Sequence, residues 1–405
     1  MPPYSKPILL LCATHAFSLF SMYGLAYRNG YLKALLRLKD FGPHLLPGSE
    51  NPILKTYTGI APLDKLVTIA VVLFANITDG SAPHFSLYGF HFGGQLTSIW
   101  TVLMIEGYRF GNRGTPLSLS VLWGCAMQGL GYGCIMPLYG ILHLYYSGAS
   151  SSDKKELATS LWIKNQTLLK TLPLSIIIGY IVPSILIAMP FASNNLHQWL
   201  VGFWQGVPVW MALLQYITGI VSNNTQCLKT PASSSLANKA PNISTRIREL
   251  MSLQDAYRVA FDITAVTHVT TMMIIAARNL CPALFSQWGL STLTFRDVFL
   301  PPSIFSDIEE TNMATAAQNF LQYDQYVGSA AAIIWAMALC KTTRKTPMSI
   351  SQWLLLAGEA LGVTLLAGPC GAVIALMWNR DERIIGDDDL YKANERKGLL
   401  EAGRC

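Results

Sequence analysis

Residues 87–108 read LYGFHFGGQLTSIWTVLMIEGY, a nearly uninterrupted apolar run that closes on Glu106. As a helix rising 1.5 Å per residue it extends for about 33 Å, enough to cross the ~30 Å hydrocarbon layer of a bilayer. Working outward, comparable runs occupy 7–27, 66–82, 117–147, 171–191, 197–222, 256–281, 321–341 and 352–378, those at 66–82 and 321–341 being the least marked. One such run could be a buried core helix; eight or nine in succession predict an all-α, polytopic transmembrane bundle. Composition agrees: 51% of the 405 residues are hydrophobic and 13% are charged, against about a quarter charged in a soluble domain. The connections at 28–65, 223–255 and 282–320 are too short for a soluble domain, so residues 1–380 read as one membrane domain and 381–405 as a charged tail.

The first run reads as a span rather than a cleaved leader. It is long for a signal core, and Tyr23, Tyr27 and Arg28 stand where small residues would precede cleavage. The net charge of +6 does not point to nucleic acid, because Lys and Arg collect in the connections between runs. Basic connections face the cytoplasm. That rule places 28–65, 109–116, 148–170, 223–255 and 341–351 on one side, and 83–86, 192–196 and the acidic 282–320 on the other. It implies an integral, multi-pass protein, expected in the endoplasmic reticulum.

The rule collides with the run at 117–147, whose flanks are both basic. A segment that starts and ends on one face, and carries Gly129, Gly131, Gly133, Pro137 and Gly140, is expected to be broken or re-entrant. Such backbone is tolerated at membrane depth only when buried in protein or lining a cavity.

No phosphate loop, HExxH, GxSxG or dinucleotide fingerprint occurs, and no paired Asp-rich motif of the kind that holds magnesium and diphosphate. The eight cysteines form no CxxC pair or zinc-spaced cluster. What remains is a set of ionisable residues in or at the ends of spans, which are functional candidates by default. They are Asp79, Glu106, Asp262, His268, Asp324 and Glu359. Each also has a plainer reading. Asp79 precedes a glycine at a turn, Glu106 can pair with Arg109 three residues on, Asp262 with Arg258, and Asp324 can cap a helix. His268 can be a packed core histidine. Glu359, near mid-run, is the hardest to explain structurally. With the charge-derived orientation, Glu106, Arg109, Asn112 and Asp262 gather toward one side, and Asp79 and Asp324 toward the other.

Aromatic residues, among them Trp100, Trp123 and Tyr132, recur inside the runs. Aromatic faces beside a buried carboxylic acid suit carbocation chemistry: the acid delivers a proton, ring faces stabilise the cation, and a dry cavity delays water.

The stretch Asp79-Gly-Ser-Ala-Pro, then Gly94-Gln95, Glu106-x-x-Arg109-x-Gly-Asn112, Gln128, Pro137 and His143 resembles the fungal membrane-bound terpene cyclases of meroterpenoid pathways, such as those of ascochlorin, ascofuranone and macrophorin biosynthesis. The resemblance implies cyclisation of a farnesyl-type chain on a small-molecule prenylated substrate, with no metal and no other cofactor. Asp79 and Glu106 carry the acid role jointly in this reading, with Asp262, Asp324 and Glu359 behind them. Arg109, Asn112, Gln128, His268, Trp100, Trp123 and Tyr132 are the expected substrate contacts. A multi-pass transporter, with its broken helices and buried charges, or a membrane scaffold using polar residues as helix glue, are the competing classes.

Overall fold

The computed structural model describes residues 4–387 apart from 192, 228–242, 288, 292 and 344–347. The chain opens with α1 (Ser5–Arg28), which widens over Leu19–Gly24, and the amphipathic α2 (Tyr31–Asp40). A loop leads to α3 (Ala61–Thr78), and a tight turn to α4 (Pro83–Tyr108), with proline in the first turn where its missing N–H costs nothing. There follow α5 (Ser120–Leu130), α6 (Tyr132–Tyr146), α7 (Lys154–Leu161), α8 (Gln166–Ala188), α9 (Asn194–Trp204), α10 (Val207–Cys227) and the long α11 (Ile243–Leu280). Two short helices, α12 (Pro282–Gln287) and α13 (Phe295–Phe299), precede α14 (Met313–Thr342), capped by Asn312. α15 (Ile350–Ala367), opened by a Ser349/Gln352 capping box, and α16 (Pro369–Ile385) complete the bundle. Apart from one isolated bridge between Leu45 and Pro52, the described residues contain no β pairing, so the all-α expectation holds.

Five of these helices, α1, α3, α8, α11 and α15, are long and apolar enough to cross a membrane, and a sixth results if α9 and α10, bent by 66°, count as one. That is fewer than the eight or nine expected, for two reasons. First, α4 and α14 have the length, but their buried faces carry Gln95, Ser98, Thr101 and Glu106, and Gln318, Gln322, Asp324 and Gln325. Polar side chains spent on inter-helix bonds lower hydropathy without exposing anything to lipid. Second, the run 117–147 is two helices too short to span; 352–378 is also folded in two, though its α15 still counts as a span.

Both folded runs are hairpins that enter from the same end of the bundle. In 117–147 the corner is Gly131, whose φ of 85° no β-carbon residue adopts cheaply. A β-carbon there would also sit 2.6 Å from Asp324 Oδ1. α5 begins beside Gly107, and α6 returns to bring His143 against Glu106. The broken, re-entrant reading of this segment matches that geometry. The run 352–378, expected as one span, is not one: it breaks at Gly368, with φ of 80°. α14 ends at Thr342, and the seven residues 343–349 reach at most about 24 Å, so α15 starts from the same end. α16 then carries Arg380 back to Glu106.

The charge-derived topology needs a second correction. Tyr4, before α1, donates to Ser150 O at the Glu106 end. Arg28, at the other end of α1, donates to Ile304 O and lies 3.8 Å from Asp307. The basic 28–65 connection therefore sits with the acidic 282–320 loop. The start of α11 lies at the opposite end, where Arg246 donates to Ile385 O. The cations here have local acids, Arg28 with Asp307 and Lys39 with Asp40.

Candidate active site

Two buried polar centres lie in the bundle. The first ties four helices at the end where both hairpins enter. Glu106, on the last turn of α4, accepts from Arg380 Nη2 at 2.6 Å and from Arg109 Nε at 3.4 Å. Its second oxygen is 3.0 Å from His143 Nε2 on α6. Asp381 accepts from Arg380 Nε at 3.0 Å, from Tyr257 OH of α11 at 2.7 Å and from Arg109 Nη2. Arg109 Nη1 donates to Leu161 O, and Asn112 Nδ2 to the Glu106 carbonyl. Glu106, Arg109, Arg380 and Asp381 are all fully buried. Two carboxylates and two guanidinium groups balance, and each carboxylate already accepts from several donors. Such a knot fixes the register of α4, α6, α11 and α16. The sequence reading placed Arg380 and Asp381 at the border of a charged tail; they are instead half of this centre.

The second centre forms where the hairpin corners meet. Gly133 N, on the second residue of α6, donates to Asp324 Oδ1 at 2.7 Å. Tyr132 OH stands 3.7 Å from Cys370 Sγ at the start of α16, and Ser329 Oγ 3.4 Å from the same sulfur. Gln95 holds the second corner: its Nε2 donates to Ala367 O at 3.1 Å, and its Oε1 accepts from Cys370 N at 3.0 Å. Tyr88, Phe92, Phe299 and Tyr132 stand around this level, with ring centroids 6.1–6.4 Å apart. Asp324 is 4% exposed, and among the described residues no Lys, Arg or His stands within ion-pair distance of it. Gly133 and His143 mark the two centres on α6; ten residues of helix put them about 15 Å apart.

The other candidates scatter. Asp79 caps the exposed turn after α3, accepting from Ser81 N and Oγ, which corrects its pairing with Glu106 as a buried acid. Asp262 and Glu359 are exposed on the outer faces of α11 and α15 rather than turned inward. Arg109 and Asn112 belong to the charged knot. Trp100 is buried beside Tyr180, while Trp123 donates to Pro116 O and lies against Tyr139. Gln128 Nε2 is buried without a partner. His268 pairs with His91, a residue the sequence reading passed over because an uncharged histidine in an apolar run gives little signal.

Comparison with known proteins identifies the family. The CtvD domain family matches residues 5–385. The chain is 24% identical to terpene cyclase ctvD of Aspergillus terreus (strain NIH 2624 / FGSC A1156) over 387 residues, 92% of this chain and 98% of that one. It is 26% identical to terpene cyclase ascI of Acremonium egyptiacum over 382 residues, 92% and 91% of the two chains. With terpene cyclase janA of Penicillium janthinellum the identity is 26% over 373 residues, 90% and 92%. No solved structure matches. The chain belongs to the CtvD domain family of fungal terpene cyclases, the family its motifs between Asp79 and His143 resemble.

Proposed function

We propose that the protein is an integral membrane terpene cyclase of the endoplasmic reticulum that closes rings on the farnesyl-type chain of a meroterpenoid intermediate. Its α4 and α14 cross the bilayer alongside the more apolar helices, and the two hairpins enter from one face. The reaction starts when the Asp324 carboxyl gives its proton to an epoxide oxygen or to an olefin of the prenyl chain. In the first case the C–O bond breaks as the O–H bond forms; in the second the π pair takes the proton. Either leaves a carbocation that neighbouring double bonds attack in turn. The faces of Tyr132, Tyr88, Phe92 and Phe299 stabilise the moving charge, and the closed hairpin corners keep water from it. The sequence balances without a metal or redox cofactor.

The observation that carries this reading is the setting of Asp324. It is a buried carboxyl at the meeting point of two hairpin corners, beside aromatic rings, with no cation against it among the described residues. Glu106 has every oxygen engaged by cations or His143 and serves as framework. To test the function, the chain is expressed in yeast and its membranes are incubated with a farnesylated aromatic substrate, as olefin and as terminal epoxide. Cyclised product from either, absent from control membranes, is the expected result. Unchanged substrate in both incubations, with the protein intact in the membrane, contradicts the proposal.

A further inference from the structure

Beside the hairpin corners lies a pair of histidines that initiation does not use. His91 on α4 and His268 on α11 are both buried, with His91 Nε2 3.0 Å from His268 Nδ1. His268 Nε2 faces Leu365 O at 3.2 Å, on the last turn of α15. A carbonyl only accepts, so His268 Nε2 carries hydrogen. A neutral His268 then accepts at Nδ1, and His91 carries its hydrogen on Nε2. The lone pair left over is on His91 Nδ1, which meets Gln325 Nε2 at a long 3.3 Å. The chain of tautomers thus has one direction and one open basic nitrogen. Gln325 directly follows Asp324 on α14, and its Oε1 is buried with no partner. Turning that amide over would present Oε1 to a proton on His91 Nδ1, an acceptor otherwise unused. The edge of Phe299 packs on His91 at 5.0 Å, which keeps the site apolar.

We propose that the His91–His268 pair accepts the proton whose loss ends the cyclisation. The inference rests on the cyclase reading above. A C–H bond next to the final carbocation breaks, its electron pair becomes the new C=C bond, and the proton goes to His91 Nδ1. The Nε2 hydrogen of His91 then shifts to His268 Nδ1, with His268 Nε2–H still held by Leu365 O, so the charge spreads over two rings. Gln325 Oε1 receives the Nδ1–H. The acid and the base of the reaction thereby sit on, and against, successive residues of one helix.

The test compares His91→Gln and His268→Gln with the unaltered protein in the same membranes, reading substrate consumption and product identity separately. Glutamine at 91 keeps a donor toward His268 but removes the basic nitrogen. The expected result is consumption within about tenfold of the unaltered protein, while the share of the deprotonated alkene product falls at least ~10-fold. Water-quenched alcohols or earlier-exiting olefins rise in its place. An unchanged product ratio in both variants overturns the proposal, and so does complete loss of consumption in variants that accumulate normally. His268→Gln guards against misfolding at position 91, since it breaks the proton relay from the other side. Failure of the cyclase reading looks different: the unaltered protein then leaves the substrate unchanged, and there is no product ratio for the histidine variants to alter.

Discussion

Glu106 and Asp324 are both buried carboxyl groups on helices long enough to cross a bilayer, about 15 Å apart by helical rise, yet their neighbours differ completely. Glu106 meets Arg380, Arg109 and His143. Asp324 meets the N–H of Gly133. A carboxylate between two guanidinium groups is fixed in charge and place, because removing either partner strands a charge in low dielectric. A carboxyl that meets only backbone can change protonation without breaking an ion pair. Burial alone therefore does not identify the reactive group. The charge it must satisfy does.

That contrast can be broken most severely at the knot. Replacing Glu106 by Gln leaves two buried guanidinium groups with one carboxylate. It should destabilise the fold by about 3–5 kcal/mol, read as a lowered melting temperature in detergent and less protein in the membrane. If Glu106→Gln melts like the unaltered protein, the knot is not the clamp described here. A smaller effect is expected at the first hairpin corner. Gly131→Ala forces a β-carbon into a left-handed backbone and toward Asp324 Oδ1, 2.6 Å away. Strain of about 1–3 kcal/mol is expected, with turnover falling more than stability because the displaced group is the acid. Equal losses in the two would mean that the corner supports the fold and not the site. The smallest change is Tyr132→Phe, which removes a hydroxyl 3.7 Å from Cys370 Sγ but keeps the ring. Stability should fall by roughly 0.5–1.5 kcal/mol, and the cyclised products should persist, since a ring face and not the hydroxyl stabilises the cation. A changed product pattern would give the hydroxyl a direct part.

The sequence carried the fold class because hydropathy reports what lipid demands, and the first hairpin because two basic flanks cannot bracket one crossing. The second hairpin was hidden: 352–378 is largely apolar around Glu359, and the signal for its corner is the Gly368-Pro369 breaker. The side assigned to 28–65 was wrong because counting cations ignores acids brought beside them by folding, Asp307 against Arg28 above all. At the site, Glu106, Arg109, Asn112, Tyr132, His268 and Asp324 were all among the candidates, but their grouping was not. Local spacing pairs Glu106 with Arg109, whereas Arg380 is 274 residues from Glu106 and Asp381 is 272 from Arg109. His91, Gln95 and Gln325 are uncharged, so nothing in an apolar run marks them until partners appear.

The central claim is that Asp324, and not Glu106, starts the reaction. Its most direct test is the rate of cyclisation per folded molecule for Asp324→Asn and Glu106→Gln, with folded protein counted independently in detergent. Asparagine keeps an oxygen for Gly133 N–H but has no acidic proton, so Asp324→Asn should lose ~10²–10⁴-fold at normal abundance. Glu106→Gln should fall in abundance while each folded molecule stays within about tenfold of the unaltered rate, well short of that loss. A Glu106→Gln protein that folds normally and is dead, beside an active Asp324→Asn, would contradict the account.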